Sequence, residues 1–283
     1  PMQTMGSWGR KYALVLTLHD LIYYEHPAPP GFLPAPVRVL WRLYHKAFWP
    51  QRLLLNRADV VATISSTTAA LISKYRLTRR PVRIVGNAPQ QGHTPRDPGA
   101  GADKTLLYMG SFMPYKNVET MIRGMAELPD MSLHLLSRIT PERRAELEAL
   151  APAGADIVFH NGVTDAEYEA MLGRTTALIS LSRAEGYGLP LVEAMSHGTP
   201  VIASDIPIFR EVGGDAVSYV HPDSPAEFAA AVRKLEEPDL WKARSRRSVE
   251  RAADFSWDES ARRLLEVAEE AVALRARQSR VSK

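Results

Sequence analysis

Residues 176–204 admit few folds. An apolar run of strand type over 176–181 passes into a turn-forming segment, Ser182-Arg183-Ala184-Glu185-Gly186-Tyr187-Gly188. A helical pattern follows over 189–197, Gly198 stops it, and a second apolar run covers 199–203. Pro190 suits the first helical turn, because its missing N–H would have had no helical partner there. The loop leaves backbone N–H groups around Gly188 and Leu189 at the positive end of the helix dipole, an anion site for which pyrophosphate is the obvious guest. Glu185 in the loop and Glu193 in the helix have seven residues between them and lie on different elements, so one can face a sugar and the other a ribose. Spacing alone also allows Glu193 to be an ordinary solvated helix residue.

The alternation continues on both sides. Further strands are expected over 106–109, 133–136, 157–159 and 217–220. Helices open at Thr140 and Pro141, at Thr164 with Glu167 in capping-box spacing, and at Ser224 with Glu227 in the same spacing. A short helix covers 207–212, and the last helix runs from its cap, Ser256, with Glu259 as partner, to about residue 277. Strands alternating with helices at this pitch imply a parallel sheet.

Nearer the start, the apolar run 12–18 reads as a parallel strand covered on both faces. It delivers His19 and Asp20 at its C-terminal end, where open α/β sheets place their ligands. Residues 27–36 are a proline-rich loop, and a helix broken at Pro50 is expected over 37–56. Trp41, Tyr44 and Phe48 share one face of that helix, and Arg38, Arg42 and Lys46 another. Packing on its own sheet is the preferred reading; contact with a membrane surface or an acceptor lipid is the alternative. Strands over 60–64 and 82–85 flank a helix over 67–75 capped by Ser65 or Ser66.

Residues 89–103, rich in Gly and Pro, read as a linker. The expected organisation is a domain over 1–88, the linker, a second domain over 104–255, and a terminal helix within 256–283. Three strands before the linker are few for a doubly wound domain, so the first domain is expected to be incomplete. Further strands before Pro1 would then pair beside the strand at 12–18, whose flank would otherwise be an open apolar edge.

At 283 residues and 45% hydrophobic content, the chain can bury a sizeable core. There is no Cys, which removes disulfides and Cys-based metal sites and fits a reducing compartment. The formal charge of +3 reads as a slight Arg excess rather than a basic tract, and no basic run is interleaved with stacking aromatics, so a nucleic-acid partner is not expected. No apolar run approaches the ~18 residues of a membrane span, and the first residues lack the apolar segment of a signal peptide. A cytoplasmic location is expected, with peripheral contact at the inner face of a membrane as an extension of it.

The segment EGYGLPLVEAMSHGTPVIAS closely resembles the donor-binding motif of the family four retaining glycosyltransferases, in which two Glu separated by seven residues precede a Gly-x-Pro-Val strand. The likeness extends through Asp205-Ile206-Pro207 and Arg210-Glu211-Val212 to Gly213-Gly214-Asp215-Ala216, and upstream to TLHD, ADVVATIS and IVGNA. The family's opening strands and glycine-bearing first loop have no counterpart. The resemblance implies a GT-B fold, an α/β architecture of two Rossmann-like domains with parallel sheets facing a cleft. It also implies that the terminal helix crosses back to the first domain.

The resemblance further implies roles for individual residues. Lys116 would hold the donor phosphates, Glu193 the ribose hydroxyls and Glu185 the donor sugar. Gly186, Tyr187, Gly188 and Leu189 would cradle sugar and phosphate, and His19 would support the transition state from the other domain. The loop with Val163 and Asp165 would read the base. Many family members carry an Arg where Ser111 and Tyr115 stand here; Arg183 and Arg138 are candidate substitutes. No Asp-x-Asp tract suits a divalent metal, so neither metal nor cofactor is expected beyond the donor, GDP-mannose first and UDP-glucose second. The expected activity is transfer of a hexose to a glycan or glycolipid hydroxyl. Alternatives are a GT-B sugar-nucleotide epimerase, a non-catalytic nucleotide-sugar-binding partner, and glycoside hydrolysis by Glu185 and Glu193, which leaves Lys116 unexplained.

Overall fold

The computed structural model describes residues 10–29, 33–90, 92 and 94–281. Two compact units emerge, Pro1–Ala88 with Ser256–Lys283, and Pro89–Phe255. The first begins with β1 (Val15–Leu18), α1 (Ile22–Glu25), α2 (Ala35–Lys46), α3 (Trp49–Asn56), β2 (Val60–Thr63), α4 (Ser66–Lys74) and β3 (Val82–Ile84). Its three described strands are parallel, in the order β1-β2-β3. Every residue of β2 is buried, as a central strand with both faces covered requires. Just before it, Asp59 is sealed in with Arg10, whose Nη1 lies 2.7 Å from Oδ2, and the same oxygen accepts the Leu14 N–H at 2.8 Å. Alternation along β1 sends Leu16 and Leu18 towards Leu55 and Ile72.

Three details differ from the sequence reading. β1 starts at Val15, where its pairing with Val60 begins, and Tyr12 lies outside the ladder and 53% exposed. The helix expected over 37–56 is two helices that part at Ala47 and Phe48, and Pro50 sits in the first turn of α3, where a missing N–H costs nothing. The one-turn helix α1 was not expected; the Asp20 carboxylate accepts the Ile22 N–H at 3.0 Å and starts it.

The second unit comprises β4 (Asp103–Tyr108), α5 (Val118–Gly124), β5 (Ser132–Leu135), α6 (Pro141–Glu148), β6 (Asp156–Phe159), α7 (Asp165–Leu172), β7 (Thr175–Ser180), α8 (Leu189–Ser196), β8 (Val201–Ser204), α9 (Pro207–Gly213), β9 (Ser218–Val220), α10 (Pro225–Lys234) and α11 (Pro238–Ala252). Its parallel sheet has the order β6-β5-β4-β7-β8-β9. The chain builds outward from β4 on one side and then from β7 on the other, so the order reverses between these neighbours. In open α/β sheets that reversal is where ligands bind, outside the carboxyl ends of the strands. Leu106, Leu133 and Ile179 from the sheet and Phe228 from α10 belong to one core.

Thr164 and Glu167 form the full capping box on α7. At α10 only half of the expected box is made: Ser224 accepts the Glu227 N–H at 3.2 Å, while the Glu227 carboxylate takes the His221 N–H at 2.8 Å. The stretch expected to be a linker is partly fixed to this unit. Arg96 donates to the Thr175 carbonyl at 2.8 Å and stacks 4.6 Å from the Trp241 ring.

The chain ends in α12 (Trp257–Val281), which belongs to the first unit. Val267 and Ala271 pack against Val60, Ser260 donates to the Gly86 carbonyl at 2.7 Å, and Arg83 grips Glu270 through two bonds of 2.9 and 2.7 Å. Among the described residues, no helix is long and apolar enough to cross a membrane.

Candidate functional site

The loops after β4 and β7 lie side by side at the reversal of strand order. The β4 loop ends in a turn, Pro114–Lys116, and then Asn117, whose φ of 56° places it in the left-handed region. Asn would not be held there without reward. Its side-chain amide donates to the Leu181 carbonyl at 3.0 Å and to the Pro222 carbonyl at 2.6 Å, while its oxygen accepts from Thr120 at 2.9 Å. One buried amide therefore ties the β4 loop to the β7 loop and to the turn after β9. The Arg183 N–H donates to the Tyr115 carbonyl at 2.8 Å and joins the two loops a second time.

This bracing brings Lys116 and Glu185 together. Lys116 Nζ lies 2.5 Å from Glu185 Oε1, and the same oxygen accepts from Ser182 Oγ at 2.8 Å. Both side chains are largely shielded from solvent, at 16% and 12% exposed, so the charges interact with little water between them. The Lys116 ammonium also stands 5.4 Å from the Tyr115 ring. An ammonium retains three donors, so it can serve Glu185 and an incoming anion together.

Beyond Glu185 the loop runs through buried Gly186 and Tyr187 to Gly188, the N-cap of α8. Gly188 has φ of 99°, and a Cβ there would meet the Phe209 ring at 2.8 Å, so both conformation and space demand glycine. No side chain caps α8. Leu189, the first residue of α8, is 37% exposed, and its helix has the unfilled N–H donors of any helix start.

Glu193 stands a little over one turn into α8, and its surroundings differ from those of Glu185. Its Oε2 accepts from Tyr168 Oη at 3.1 Å. With Asp165, Tyr168 and Gln90 it lines a small cavity of about 60 Å³. Burial pushes the Glu193 carboxyl above the usual range and nearby Asp165 adds to this, against the Tyr168 hydrogen bond, which favours the ionised form. Such a carboxylate gains from any further donor that enters the cavity.

Asp165 is the exposed first residue of α7, and half-buried Val163 lies in the loop before it. The second unit thus brings Lys116, Glu185 and the N-terminus of α8 to one strand junction, with Glu193 and Asp165 on the neighbouring cavity. His19 lies in the first unit, exposed at the end of β1, beside a separate cavity of about 200 Å³ lined also by Asp20, Tyr44, His45 and Gln51.

The two candidate substitutes for the missing arginines are placed unequally. Arg183 is engaged by Asp223 and by the Pro114 carbonyl. Arg138 lies over Gly162, where a Cβ would be 3.1 Å from its side chain. Sequence reasoning missed Ser182 and Tyr168, the donors to the two glutamates. Ser182 was visible as a hydroxyl three residues before Glu185, whereas Tyr168 meets Glu193 only through the packing of α7 on α8. Among the described residues, no group of three or more His, Cys, Asp or Glu could hold a metal ion.

Comparison with known proteins agrees with this organisation. Residues 94–254 match the model of the family "Glycosyl transferases group 1". The chain is 27% identical over 234 residues to the O-antigen chain mannosyltransferase RfbU of Salmonella typhimurium, covering 79% of this chain and 61% of that protein. It is 26% identical over 274 residues to the MMP alpha-(1->4)-mannosyltransferase of Mycolicibacterium hassiacum, covering 93% and 66%. The chain thus spans about three fifths to two thirds of the length of these relatives. Among solved structures, the sucrose-phosphate synthase of Thermosynechococcus elongatus superposes with a TM-score of 0.66 at 21% identity, over 95% of this chain and 68% of that one. TarM gives 0.64 at 15% identity, over 85% and 48%. These likenesses show the fold, two Rossmann-like domains of the GT-B type.

Proposed function

The chain belongs to the group 1 glycosyl transferase family, and on that premise we propose that it serves a retaining hexosyltransferase. The donor is a nucleoside-diphosphate sugar, GDP-mannose first and UDP-glucose second, and the acceptor is a hydroxyl of a glycan or glycolipid. The observation that carries this reading is the meeting of Lys116, Glu185 and the uncapped N-terminus of α8 at the strand-order reversal. Mannose is preferred because both sequence relatives named above are mannosyltransferases.

In this reading Glu193 accepts from the ribose hydroxyls in the cavity it shares with Tyr168 and Asp165. Lys116 and the N–H groups of Gly188 and Leu189 meet the diphosphate, where negative charge builds as the glycosidic bond breaks. Glu185 orients the sugar hydroxyls. The departing phosphate oxygen takes the proton of the acceptor hydroxyl on the same face of the sugar. The anomeric configuration is kept, and no side-chain nucleophile is required. His19 contributes to transfer rather than to nucleotide affinity. Transfer is expected to persist in the presence of a chelator.

A second reading, a nucleotide-sugar-binding partner without turnover, draws on Ser111 and Tyr115 in place of arginines and on the engagement of Arg183 with Asp223. Incubating the chain with a panel of nucleotide sugars and acceptor glycans, with products identified by mass, separates the two. Transfer of mannose with an α-linkage supports the first reading. Tight donor binding with no product supports the second, and no binding of any donor overturns both.

A further inference from the structure

The formal charge of +3 is the difference between two unequal halves. The first unit, Pro1–Ala88 with Ser256–Lys283, carries eighteen Lys and Arg against eight Asp and Glu, or +10. The second carries seventeen against twenty-four, or −7. The reading of the charge as a slight Arg excess therefore holds only for the sum. Within the first unit, residues 60–96 contain no Asp or Glu, while Arg76, Arg79 and Arg80 lie close together on the turn between α4 and β3. Three carboxylates of this unit already have cations of their own: Glu25 has Lys74, Asp59 has Arg10 and Glu270 has Arg83.

That turn borders a cavity of about 1090 Å³, whose lining includes Arg52, Asn56, Arg76, Thr78, Arg79 and Arg80 and no carboxylate. The turn joins a helix to the start of a strand, so the cavity lies at the amino ends of β2 and β3. His19 stands at the opposite end of the sheet, after β1. Two of the four guanidiniums are fixed by backbone carbonyls. Arg52 donates through Nε to Arg76 at 3.3 Å and through Nη2 to Tyr75 at 2.9 Å, and Arg80 Nε donates to Asn56 at 3.0 Å. The Asn56 side chain holds the turn in return: Oδ1 accepts the Arg79 N–H at 2.9 Å, and Nδ2 donates to the Leu77 carbonyl at 3.3 Å. A guanidinium carries five N–H donors, so both arginines keep most of theirs. Arg76 and Arg79 are exposed, and among the described residues their side chains make no hydrogen bond or ion pair. Arg76 also stands just past the end of α4 with φ of 48°, a position that helix ends commonly give to glycine. A side chain is strained there, and this one returns no contact to the fold.

We propose that this cavity binds a ligand carrying two or more clustered phosphoryl groups. Each such group brings about −1.5 to −2 charge near neutral pH, so two of them balance the four guanidiniums. The planar N–H forks of arginine match phosphate oxygens in pairs. The bound anion relieves a repulsion among four cations that no carboxylate of the lining relieves. A nucleic acid fits less well, because no aromatic side chain lines the cavity for a base to stack on. A single acidic side chain of a protein partner would leave most of the positive charge unbalanced. The site is separate from the proposed donor site, whose residues other than His19 all lie in the second unit.

Calorimetric titration of the full chain with tripolyphosphate at low salt tests it, since that ion supplies phosphoryl groups without base or sugar. Replacing Arg76→Gln and Arg79→Gln together should weaken binding by about tenfold or more, less than two shielded contacts would give because both side chains are exposed. Lys116→Ala should leave this binding in place, which separates it from the donor site. Arg76→Gly guards against a folding artefact. Glycine accepts the positive φ, so the melting temperature should stay level or rise while tripolyphosphate binds more weakly. A fall in melting temperature with binding unchanged would make Arg76 a structural residue and overturn the proposal. Vesicles of phosphatidylcholine bearing phosphatidylinositol bisphosphate present the same groups on a lipid. Vesicle binding that needs Arg76 and Arg79, without binding of tripolyphosphate, assigns the groups to a lipid headgroup; binding of tripolyphosphate that needs them assigns the groups to a free ligand. No binding of either probe overturns the proposal, as does binding lost in Lys116→Ala and kept in the double variant. An oligonucleotide or polyglutamate that displaces tripolyphosphate and binds more tightly also overturns it, in favour of a macromolecular partner.

Discussion

The two units follow the same rule, parallel strands wrapped by helices, yet their charges are opposed, +10 in the first and −7 in the second. The unit proposed to bind a nucleoside diphosphate is the acidic one. Affinity for phosphate there cannot come from the net field and has to come from placement: one shielded lysine, one uncapped helix N-terminus and loops braced by Asn117. In the basic unit Arg10 is buried against Asp59 and Arg83 is paired with Glu270, whereas Arg38, Arg42 and Lys46 of α2 are exposed. Net charge and ligand charge are separate questions, settled at different length scales.

The largest effect that would sharpen this contrast lies in the first unit. Arg10→Ala strands the Asp59 carboxylate in the interior, and losing one partner of a buried pair costs about 3–5 kcal/mol. Urea unfolding of the first unit should shift accordingly, while nucleotide titration of the second should keep its stoichiometry. Parallel loss of both would mean that the units are not independent. Burial alone would raise the Asp59 carboxyl, but Arg10 and the Leu14 N–H hold it below the usual value. A depressed folded-state value gives stability that is present above the ordinary carboxylate range and lost as pH falls through the folded value. The first unit should therefore be the more acid-sensitive for this group.

Gly188→Ala is expected to cost about 1–3 kcal/mol, the range for a strained backbone position, because φ is 99° and Phe209 closes the space. The loss should appear as a lower melting temperature together with weaker nucleotide binding. Unchanged values for both would mean that the loop adapts and that its geometry is not what holds the anion.

Glu193→Gln has the smallest effect and the clearest sign. A neutral acceptor replaces a charged one, so nucleotide affinity should fall by about 1 kcal/mol, or fivefold. Stability should move the other way. Burial raises the Glu193 carboxyl, so its contribution to stability is present below the ordinary glutamate value and lost as pH rises through the raised one. At neutral pH the ionised group costs stability, and Gln removes that cost. Nucleotide affinity of the unaltered protein should decline on acidification sooner than an ordinary glutamate would dictate. A destabilised Gln variant with intact affinity would recast Glu193 as a structural residue.

Much of the second unit was legible because its signals are local. Gly188, Pro190 and Gly198 mark α8 by their own backbone chemistry, and the glutamate spacing follows from the loop and helix lengths. What escaped the sequence was tertiary. α11 buries Trp241, Ser245, Ser248 and Ala252, mostly small residues, so its inward face carries no strong apolar period. Arg183 looked available for phosphate, but Asp223, forty residues on, engages it. On α2 the inward stripe of Trp41 and Tyr44 was visible, whereas the outward stripe of Val39, Leu40 and Leu43 acquired meaning only once burial separated the two faces.

The central claim is that an acidic unit holds a diphosphate by placement of Lys116 at the junction of β4 and β7. Calorimetric titration of the unaltered chain and of Lys116→Ala, each with a nucleoside diphosphate and with the bare nucleoside, tests it directly. A charge-assisted contact to phosphate is worth about 1.5–3 kcal/mol, so the diphosphate should bind the variant roughly 10- to 150-fold more weakly while the nucleoside is unaffected. Equal losses for both ligands, or none for either, would contradict the account.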